Sequence, residues 1–215
     1  MAQFLRRVLA GERVVFRGET FSVDGFRLSR PLDQPVPIYV AALRPGMLRV
    51  AGEVGDGVVI NWLSTDDVPK SVAVVRETAQ SAGRDPEAIE ITARLMIDVD
   101  PPSPASDTAV RRHVASYFNV PVYKAFQEWL GRTEALTPMW SAWARGDRKA
   151  AVAAVPEHVV NELIIRGSMD EIRAHVRRYL DAGVDTAFLS LSTLEQDPAR
   201  RREVLRAAMR DLAPR

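Results

Sequence analysis

The sequence predicts an α/β protein in which short parallel strands alternate with helices, and three observations support this class. Residues 36–62, VPIYVAALRPGMLRVAGEVGDGVVINW, contain two apolar runs separated by a helical pattern, which is the order of a β-α-β unit. Two further apolar runs, 89–99 and 184–191, are each followed by helical patterns. The 215 residues are 47% hydrophobic and 27% charged, a composition typical of a globular protein with its own core.

The segment 36–62 is the part around which the other elements are arranged. Its first run, 38–42, is rich in β-branched and aromatic residues, as is typical of a buried strand. Pro45 is placed to begin the helix, and Gly55 to end it before the second strand. The loop 42–46 then precedes a helix N-terminus, where free backbone N–H groups favour an anion. From spacing alone, ordinary strand and loop residues remain the alternative interpretation.

Upstream of this segment, the pattern predicts one helix and an antiparallel hairpin. Residues 3–10 have apolar side chains at helical spacing, and neither preceding side chain can cap the first N–H groups. Asp24-Gly25 is a two-residue turn signal. The short strands expected within 12–30 are 14–16, 20–23 and 26–28.

Downstream, helix and strand signals alternate again up to residue 99. Thr65 or Asp66 is expected to cap a helix that runs to about Ala82, with Gly83 as its stop. The run IEITARLMIDV, residues 89–99, is the third predicted strand. Two prolines follow it and end the strand pattern.

The last part of the chain combines a helical region with a fourth strand. Residues 104–166 have no clear strand pattern and are expected to form short helices. Ser168 and Glu171 form a capping box that opens a helix before strand 184–191. Pro198 begins the final helix. The helical region is expected to have a core containing Trp129, Trp140 and Trp143.

Composition excludes several classes of function. A net charge of +1 gives no indication of a nucleic-acid or membrane partner, and the absence of cysteine rules out disulfide and thiolate chemistry. The three histidines lack metal-ligand spacing, so no metal site is expected. Asp56, in a Gly-Asp-Gly turn, is more simply a turn residue than a catalytic acid. No apolar run is long enough to span a membrane, so a cytoplasmic location is expected.

Three stretches together resemble a known family. PIYVAALRPGMLRVAGEVGDGVVINW is similar to the second-half motif of the bacterial luciferase-like monooxygenases, and most similar to the branch that uses coenzyme F420. The resemblance continues upstream in VVFRGETFSVDGFRL and downstream in GSMDEIRAHVRRYLDAGVDTAFLSL. It therefore extends over nearly the whole chain.

The resemblance implies a fold and a reaction class. A complete (β/α)8 barrel has eight strands in ~250 residues, and the four predicted strands correspond to strands five to eight. The expected fold is thus the C-terminal half of a TIM barrel, a single domain over 1–215 with a hairpin insertion at 12–30 and a helical insertion at 104–166. The implied activity is hydride transfer or monooxygenation of a small organic substrate with coenzyme F420, or alternatively with FMN.

The resemblance also implies which residues contact the coenzyme. The family's proton-handling residues lie largely on the early strands, so the resemblance implies no particular catalytic residue in this chain. Arg44 and Leu43 depart from the small residues found in family members, although a cation beside a phosphate partly compensates. The implied coenzyme-binding residues are Ala41 and Ala42 near the ring or its ribityl chain, Leu43, Arg44 and Gly46 near the phosphate, and Asn61 at the next strand end.

Two interpretations from different classes stay open. The first is a luciferase-like oxidoreductase in a truncated or partial form. The second is a non-catalytic half-barrel that acts as a homodimer or as a subunit of a split flavoprotein. In either case, unpaired edges at strands 38–42 and 186–191 predict a homo-oligomer, because exposed apolar edges favour pairing with another chain.

Overall fold

The computed structural model describes residues 1–30 and 32–213, which contain ten α-helices and seven strands. The strands are β1 (Val14–Arg17), β2 (Ser22–Phe26), β3 (Tyr39–Ala41), β4 (Gly57–Asn61), β5 (Glu90–Asp98), β6 (Ile164–Ile165) and β7 (Thr186–Ser192). The helices are α1 (Ala2–Leu9), α2 (Pro45–Val54), α3 (Val68–Ser81), α4 (Pro104–Phe118), α5 (Pro121–Trp129), α6 (Thr133–Ala144), α7 (Arg148–Ala153), α8 (Glu157–Leu163), α9 (Met169–Asp181) and α10 (Pro198–Leu212).

The chain divides into two compact units. The first unit contains residues 1–59 and 73–90. The second contains residues 60–72 and the described chain from residue 91 onward. The boundaries therefore fall inside β4, inside α3 and at the start of β5.

In the first unit, β3, α2 and β4 form the β-α-β unit that the apolar pattern predicts. β3 and β4 are parallel, with Tyr39 opposite Gly57 and Ala41 opposite Val59. The carboxylate of Asp56 accepts a hydrogen bond from the N–H of Ile38 at 2.7 Å, and it pairs with Arg6 of α1. Although burial raises the pKa of Asp56, these two partners bring it below its ordinary value. Asp56 therefore ties the starts of the two strands together, as a structural residue.

The hairpin differs from the sequence prediction in its turn. β1 and β2 pair antiparallel, but the chain reverses at residues 18–21, where the N–H of Gly18 donates to the carbonyl of Phe21. Asp24 and Gly25 lie inside β2, next to a register shift in the pairing. Gly25 has a φ of +71°, which suits a bulge as well as a tight turn. The predicted Asp24-Gly25 turn is wrong for this reason.

In the second unit, β5 is the central strand. It pairs in parallel with β7 from Thr92 to Asp98, and with the two-residue strand β6 at Met96 and Ile97. β6 lies within the region 104–166, where the sequence showed no strand pattern. Asp185 accepts from the N–H of Ile91 at 2.7 Å, so a carboxylate ties these strand starts together as well.

Helix caps follow the sequence in some places and depart from it in others. The box formed by Ser168 and Glu171 is present at the start of α9. After β4, however, the cap is Ser64, whose box partner is Asp67, and a short 3-10 turn precedes α3. The prediction of Thr65 or Asp66 as cap was wrong, because Ser64 also offers a hydroxyl three residues before an acidic side chain. None of the described helices is long and apolar enough to cross a membrane.

Candidate functional site

The first group of predicted coenzyme residues lies at the N-terminus of α2. Arg44 occupies the N-cap position with extended backbone angles, and its side chain caps no N–H group. The first turn of α2 has no acidic residue, and a Cβ built on Gly46 would meet nothing within 4 Å. The backbone of Ala42 is held by a hydrogen bond to the carbonyl of Val59 at 3.0 Å. The predicted residues thus form one continuous segment of the first unit: Ala41 ends β3, Ala42, Leu43 and Arg44 connect it to α2, and Gly46 lies in the first turn of α2. Ala42 is buried, whereas Arg44 and Gly46 are exposed.

Asn61, the remaining predicted residue, lies at the end of β4 and belongs to the second unit. Its side-chain oxygen is buried and has no hydrogen-bond donor among the described residues. The next residue, Trp62, has a φ of +56°, the one positive value found at a non-glycine residue in the described chain. Left-handed backbone at a large side chain is costly and clusters at functional sites. The end of β4 therefore combines an unpaired amide oxygen with a strained backbone.

Trp62 is held by contacts within the second unit. Its ring centroid lies 4.7 Å from that of Tyr117, 5.2 Å from His113 and 5.4 Å from Phe118. Its carbonyl accepts from the side-chain amide of Gln127 at 2.8 Å. Its indole N–H is buried with no acceptor among the described residues. The helical region therefore sets the orientation of the residue that follows Asn61.

A largely buried ionic group, here called the Arg132 cluster, lies beside this segment, and only its Glu162 carboxylate is well exposed. Its members are Arg132, Asp67, Glu162, Ser64 and Gln127. The guanidinium of Arg132 is 2.7 Å from a carboxylate oxygen of Asp67 and 2.9 Å from one of Glu162. It also donates to the hydroxyl of Ser64 at 3.1 Å. Burial alone would lower the pKa of Arg132, but the two carboxylates raise it above its ordinary value.

Tyr179 extends this arrangement from α9. Its buried hydroxyl lies 2.8 Å from the carbonyl oxygen of Leu63 and 3.2 Å from that of Glu162. Burial raises the pKa of this hydroxyl, so it stays protonated and can donate. The segment after β4 is thus tied to α9 as well as to the Arg132 cluster.

His175 makes a pH-dependent contribution to the stability of this part of the fold. Its ring stacks on Tyr179 with centroids 5.6 Å apart, and burial followed by the nearby charge of Arg178 lowers its pKa to about 4. Because the unfolded pKa is higher, ~6.5, stability is expected to fall as the pH drops from 6.5 towards 4. We expect a loss of about 1–2 kcal/mol, reduced because the ring is only half-buried.

Urea unfolding at about pH 7 and about pH 4.5 measures this loss. The variant His175→Gln should lose less stability between the two pH values than the wild type does. The exposed His158, for which a matched His158→Gln variant can be made, serves as the control. Identical pH dependence in the wild type and His175→Gln would contradict the assignment.

A pocket of about 240 Å³ lies at the carboxyl ends of β5 and β7 and is here called the β5–β7 pocket. It lies within the second unit. The carboxyl ends of parallel strands are where α/β proteins bind ligands. Its lining residues are Arg94, Met96, Asp98, Ala109, Val110, His113, Ile164, Ser190, Ser192, Thr193 and Leu194.

Two titratable groups of the β5–β7 pocket have shifted pKa values. Burial raises the pKa of Asp98, which is 4% exposed. Burial, followed by the charge of Arg94, lowers the pKa of His113, so its imidazole is neutral at pH 7. Among the described residues, no group of acidic side chains and histidines is arranged to hold a metal ion. The pocket thus offers one cation, a buried carboxyl group, a neutral imidazole and several hydroxyl groups.

Sequence reasoning named neither the β5–β7 pocket nor the Arg132 cluster. One signal in the sequence pointed to the pocket, because Arg94 interrupts the apolar run of the third predicted strand. Burying a charge without a partner is costly, so an arginine in such a run indicates a binding partner for it. Trp62 carried no signal in the sequence, because a positive φ at tryptophan follows no residue preference.

The chain matches a family model and several curated proteins. The model described as luciferase-like monooxygenase matches residues 1–186. Over 181 residues the chain is 29% identical to the 5,10-methylenetetrahydromethanopterin reductase of Methanolobus tindarius, covering 84% of this chain and 55% of that protein. It is also 29% identical over 221 residues to the F420-dependent glucose-6-phosphate dehydrogenase 2 of Rhodococcus jostii (strain RHA1), covering 99% of this chain and 58% of that protein. The chain thus spans a little over half the length of these two relatives.

Solved structures show the same fold. The coenzyme F420 dependent tetrahydromethanopterin reductase from Methanopyrus kandleri matches with a TM-score of 0.72 and 24% identity, over 94% of this chain and 58% of that one. An F420-dependent secondary alcohol dehydrogenase matches with a TM-score of 0.66 and 20% identity, over 99% and 60%. These likenesses confirm the predicted α/β fold class, and the partial coverage is consistent with part of a barrel. Because the family model covers well over half of the 215 residues, the chain belongs to the luciferase-like monooxygenase family.

Proposed function

We propose that this chain binds coenzyme F420 and takes part in hydride transfer to or from a small organic substrate. The observation that carries the proposal is the family match together with relatives whose names specify F420-dependent enzymes. The chain covers only 55–58% of the length of those relatives. Their whole activity is therefore a proposal for this chain. When bound, the deazaflavin supplies the hydride-carrying ring, and the protein supplies binding and orientation.

The loop at the N-terminus of α2 is suited to the coenzyme's phosphate. Arg44 is exposed, its side chain caps no N–H group, and no acidic residue in the first turn opposes an anion. Gly46 leaves open space beside the backbone. A helix N-terminus with free N–H groups favours negative charge, and a guanidinium adds a charge-assisted contact. These features fit a phosphate, whereas Asn61, in the second unit, is proposed separately as a contact through its unpaired amide oxygen.

Replacing Arg44 by alanine is expected to weaken coenzyme binding. A hydrogen bond to a charged group contributes ~1.5–3 kcal/mol, which corresponds to roughly one to two powers of ten in affinity. The measurement is a fluorescence titration of coenzyme F420 against the wild type and Arg44→Ala. Raising the salt concentration should shrink the difference, because the loop is open to solvent.

Arg49→Ala is the matched control, since Arg49 is an exposed arginine on the same helix but lies beyond its first turn. Its affinity should equal that of the wild type. If Arg44→Ala also binds like the wild type, the loop is only a connection between β3 and α2.

The alternative of FMN-dependent monooxygenation has one supporting observation, which is that the matching family model bears a monooxygenase description. The curated relative from Rhodococcus jostii is F420-dependent by its name, which is why hydride transfer with F420 is our first choice.

Self-association stays a prediction, and exposed apolar side chains support it. Phe188 on β7 is 61% exposed, and Tyr39 on β3 is exposed as well. Large exposed apolar side chains on strands favour association with another chain. The non-catalytic half-barrel and the cytoplasmic location likewise stay predictions from the sequence.

A further inference from the structure

The β5–β7 pocket contains a cation whose donors are mostly unused. Arg94 is half-buried on β5, and its guanidinium donates one hydrogen bond, to the hydroxyl of Ser190 at 3.0 Å. No carboxylate of the described residues forms an ion pair with it. A guanidinium has five N–H groups in a planar fork, which match a carboxylate or phosphate in two-point contact. With a single hydroxyl as its partner, this half-buried guanidinium keeps most of its N–H donors free to bind a ligand or water.

The strand register explains why Arg94 faces the pocket. Arg94 lies opposite Phe188, and Met96 lies opposite Ser190, so the guanidinium reaches along its strand by two residues to meet Ser190. This direction is towards the carboxyl ends of β5 and β7. Ser192, opposite Asp98, continues the same face. The cation and two hydroxyl groups therefore line one side of the pocket.

The acidic groups beside Arg94 are engaged elsewhere. Asp98 accepts from the N–H of Asp100 at 3.3 Å, and burial raises its pKa. Asp100 accepts from the hydroxyl of Thr193 at 2.6 Å and from the N–H of Leu194. Neither carboxylate neutralises Arg94 by direct contact. The cation thus remains available to an external anion.

The rest of the lining limits the ligand's size and character. Met96, Val110, Ile164 and Leu194 give the pocket an apolar side. Its volume of about 240 Å³ is below the ~300–1,000 Å³ of sites that enclose a whole drug-sized ligand. The pocket therefore fits a small organic molecule or one end of a longer molecule.

We propose that the β5–β7 pocket is the substrate subsite and binds a small organic anion, with its carboxylate or phosphate held by Arg94 and Ser190. The neutral imidazole of His113 lines the same pocket and can donate a further hydrogen bond. The assignment to a substrate rests on the proposed oxidoreductase function, whereas anion binding by Arg94 does not. The same chemistry could come from the coenzyme, whose tail is also anionic, so the test separates the two sources.

The test is an NMR titration of the uniformly ¹⁵N-labelled chain with matched probes. Lactate is compared with lactamide, and glycerol 3-phosphate with glycerol, so that each pair differs in the anionic group. We expect at least one of the two anions to shift the backbone amide signals of Ser190, Ser192 and Thr193 and the Nε–H signal of Arg94. The neutral partners should leave these signals unchanged at the same concentration. Equal shifts from a charged probe and its neutral partner would overturn the proposal, as would no shift with either anion.

Two variants at position 94 refine the result. Arg94→Met keeps much of the side-chain volume and removes the charge, so it should weaken binding of the shifting anion by roughly 10- to 100-fold. Arg94→Lys keeps the charge but loses the two-point contact, so it should fall between the wild type and Arg94→Met. Arg202→Met, at an exposed residue of α10, should bind like the wild type. Unchanged affinity in Arg94→Met, with its other amide signals in their wild-type positions, would overturn the proposal.

A final arm adds coenzyme F420 to the anion-loaded chain. If the coenzyme binds without displacing the anion, the subsite belongs to the substrate, as proposed. Displacement, with coenzyme binding lost in Arg94→Met, would assign the pocket to the coenzyme's tail and overturn the substrate assignment. Failure of the coenzyme to bind at all, with the anion still held by Arg94, would contradict the proposed function and leave the anion site standing.

Discussion

Replacing Arg132 by methionine is expected to lower the free energy of unfolding by about 3–5 kcal/mol, because it leaves the buried carboxylate of Asp67 uncompensated. The Arg132 and Asp67 side chains are each only 11% exposed, and Arg132 also contacts Glu162 and Ser64. Once Arg132 is gone, the carboxylate of Asp67 keeps, among the described residues, only its bonds from the N–H and hydroxyl of Ser64. Urea unfolding at neutral pH measures the effect.

Two further variants separate lost ion pairing from lost packing. Asp67→Asn in the Arg132→Met background removes the stranded charge and can still accept from Ser64, so it should recover more than ~1 kcal/mol. Arg7→Met breaks the exposed pair with Glu12 and should cost no more than about 1 kcal/mol. An Arg132→Met variant that is as stable as Arg7→Met would show that the cluster does not stabilise the fold.

Replacing Trp62 by alanine is expected to cost about 3–5 kcal/mol, the range for truncating a large buried aromatic side chain. The ring is 2% exposed and packs against Tyr117 and Phe118. The loss should also release the restraint on Asn61, its neighbour at the end of β4. Unfolding measurements give the cost, and the amide signals of α4 should report the change in packing.

A glycine variant tests the backbone strain at the same position. Within a helix or strand, a protein with glycine at a given position is less stable than one with alanine by about 0.5–1 kcal/mol. At a φ of +56° the order should reverse, with Trp62→Gly more stable than Trp62→Ala. If alanine is the more stable of the two, the left-handed backbone at Trp62 is not a property of the folded chain in solution.

The helical region, residues 104–166, helps to fix the backbone after the end of β4 through the Arg132 cluster and its contacts with Trp62. Gln127 on α5 holds the carbonyl of Trp62, and Tyr179 on α9 lies beside the carbonyl of Leu63. These contacts fix the backbone directly after Asn61. Arg132, Gln127 and Tyr179 are therefore positioning residues for the proposed coenzyme contact at Asn61, since they act through the segment that follows it.

Local patterns predicted the elements that depend on neighbouring residues. The β3–α2–β4 unit follows from an apolar run, Pro45 and Gly55, whose effects extend over a few residues. The capping box at Ser168 was predicted for the same reason. The hairpin turn was misplaced because Asp-Gly signals a positive φ, and that conformation serves the bulge at Gly25 as well as it would serve a turn.

Contacts between distant parts of the chain could not be predicted in this way. Arg94 and Ser190 are 96 residues apart, and Arg132 and Asp67 are 65 apart. No spacing rule links residues over such distances, because the strand register and helix packing bring them together. The charge of Arg94 inside an apolar run pointed to a special environment, but only the pairing of β5 with β7 shows what surrounds it.

A parallel titration of the chain with coenzyme F420 and with FMN tests most directly whether this member of the family binds coenzyme F420. Intrinsic coenzyme fluorescence gives both affinities under the same buffer and salt conditions. We expect saturable binding of coenzyme F420, at least about tenfold tighter than FMN, which is a difference of ~1.4 kcal/mol. Tighter binding of FMN would contradict the coenzyme assignment, and binding of neither would contradict a coenzyme-binding role for this chain.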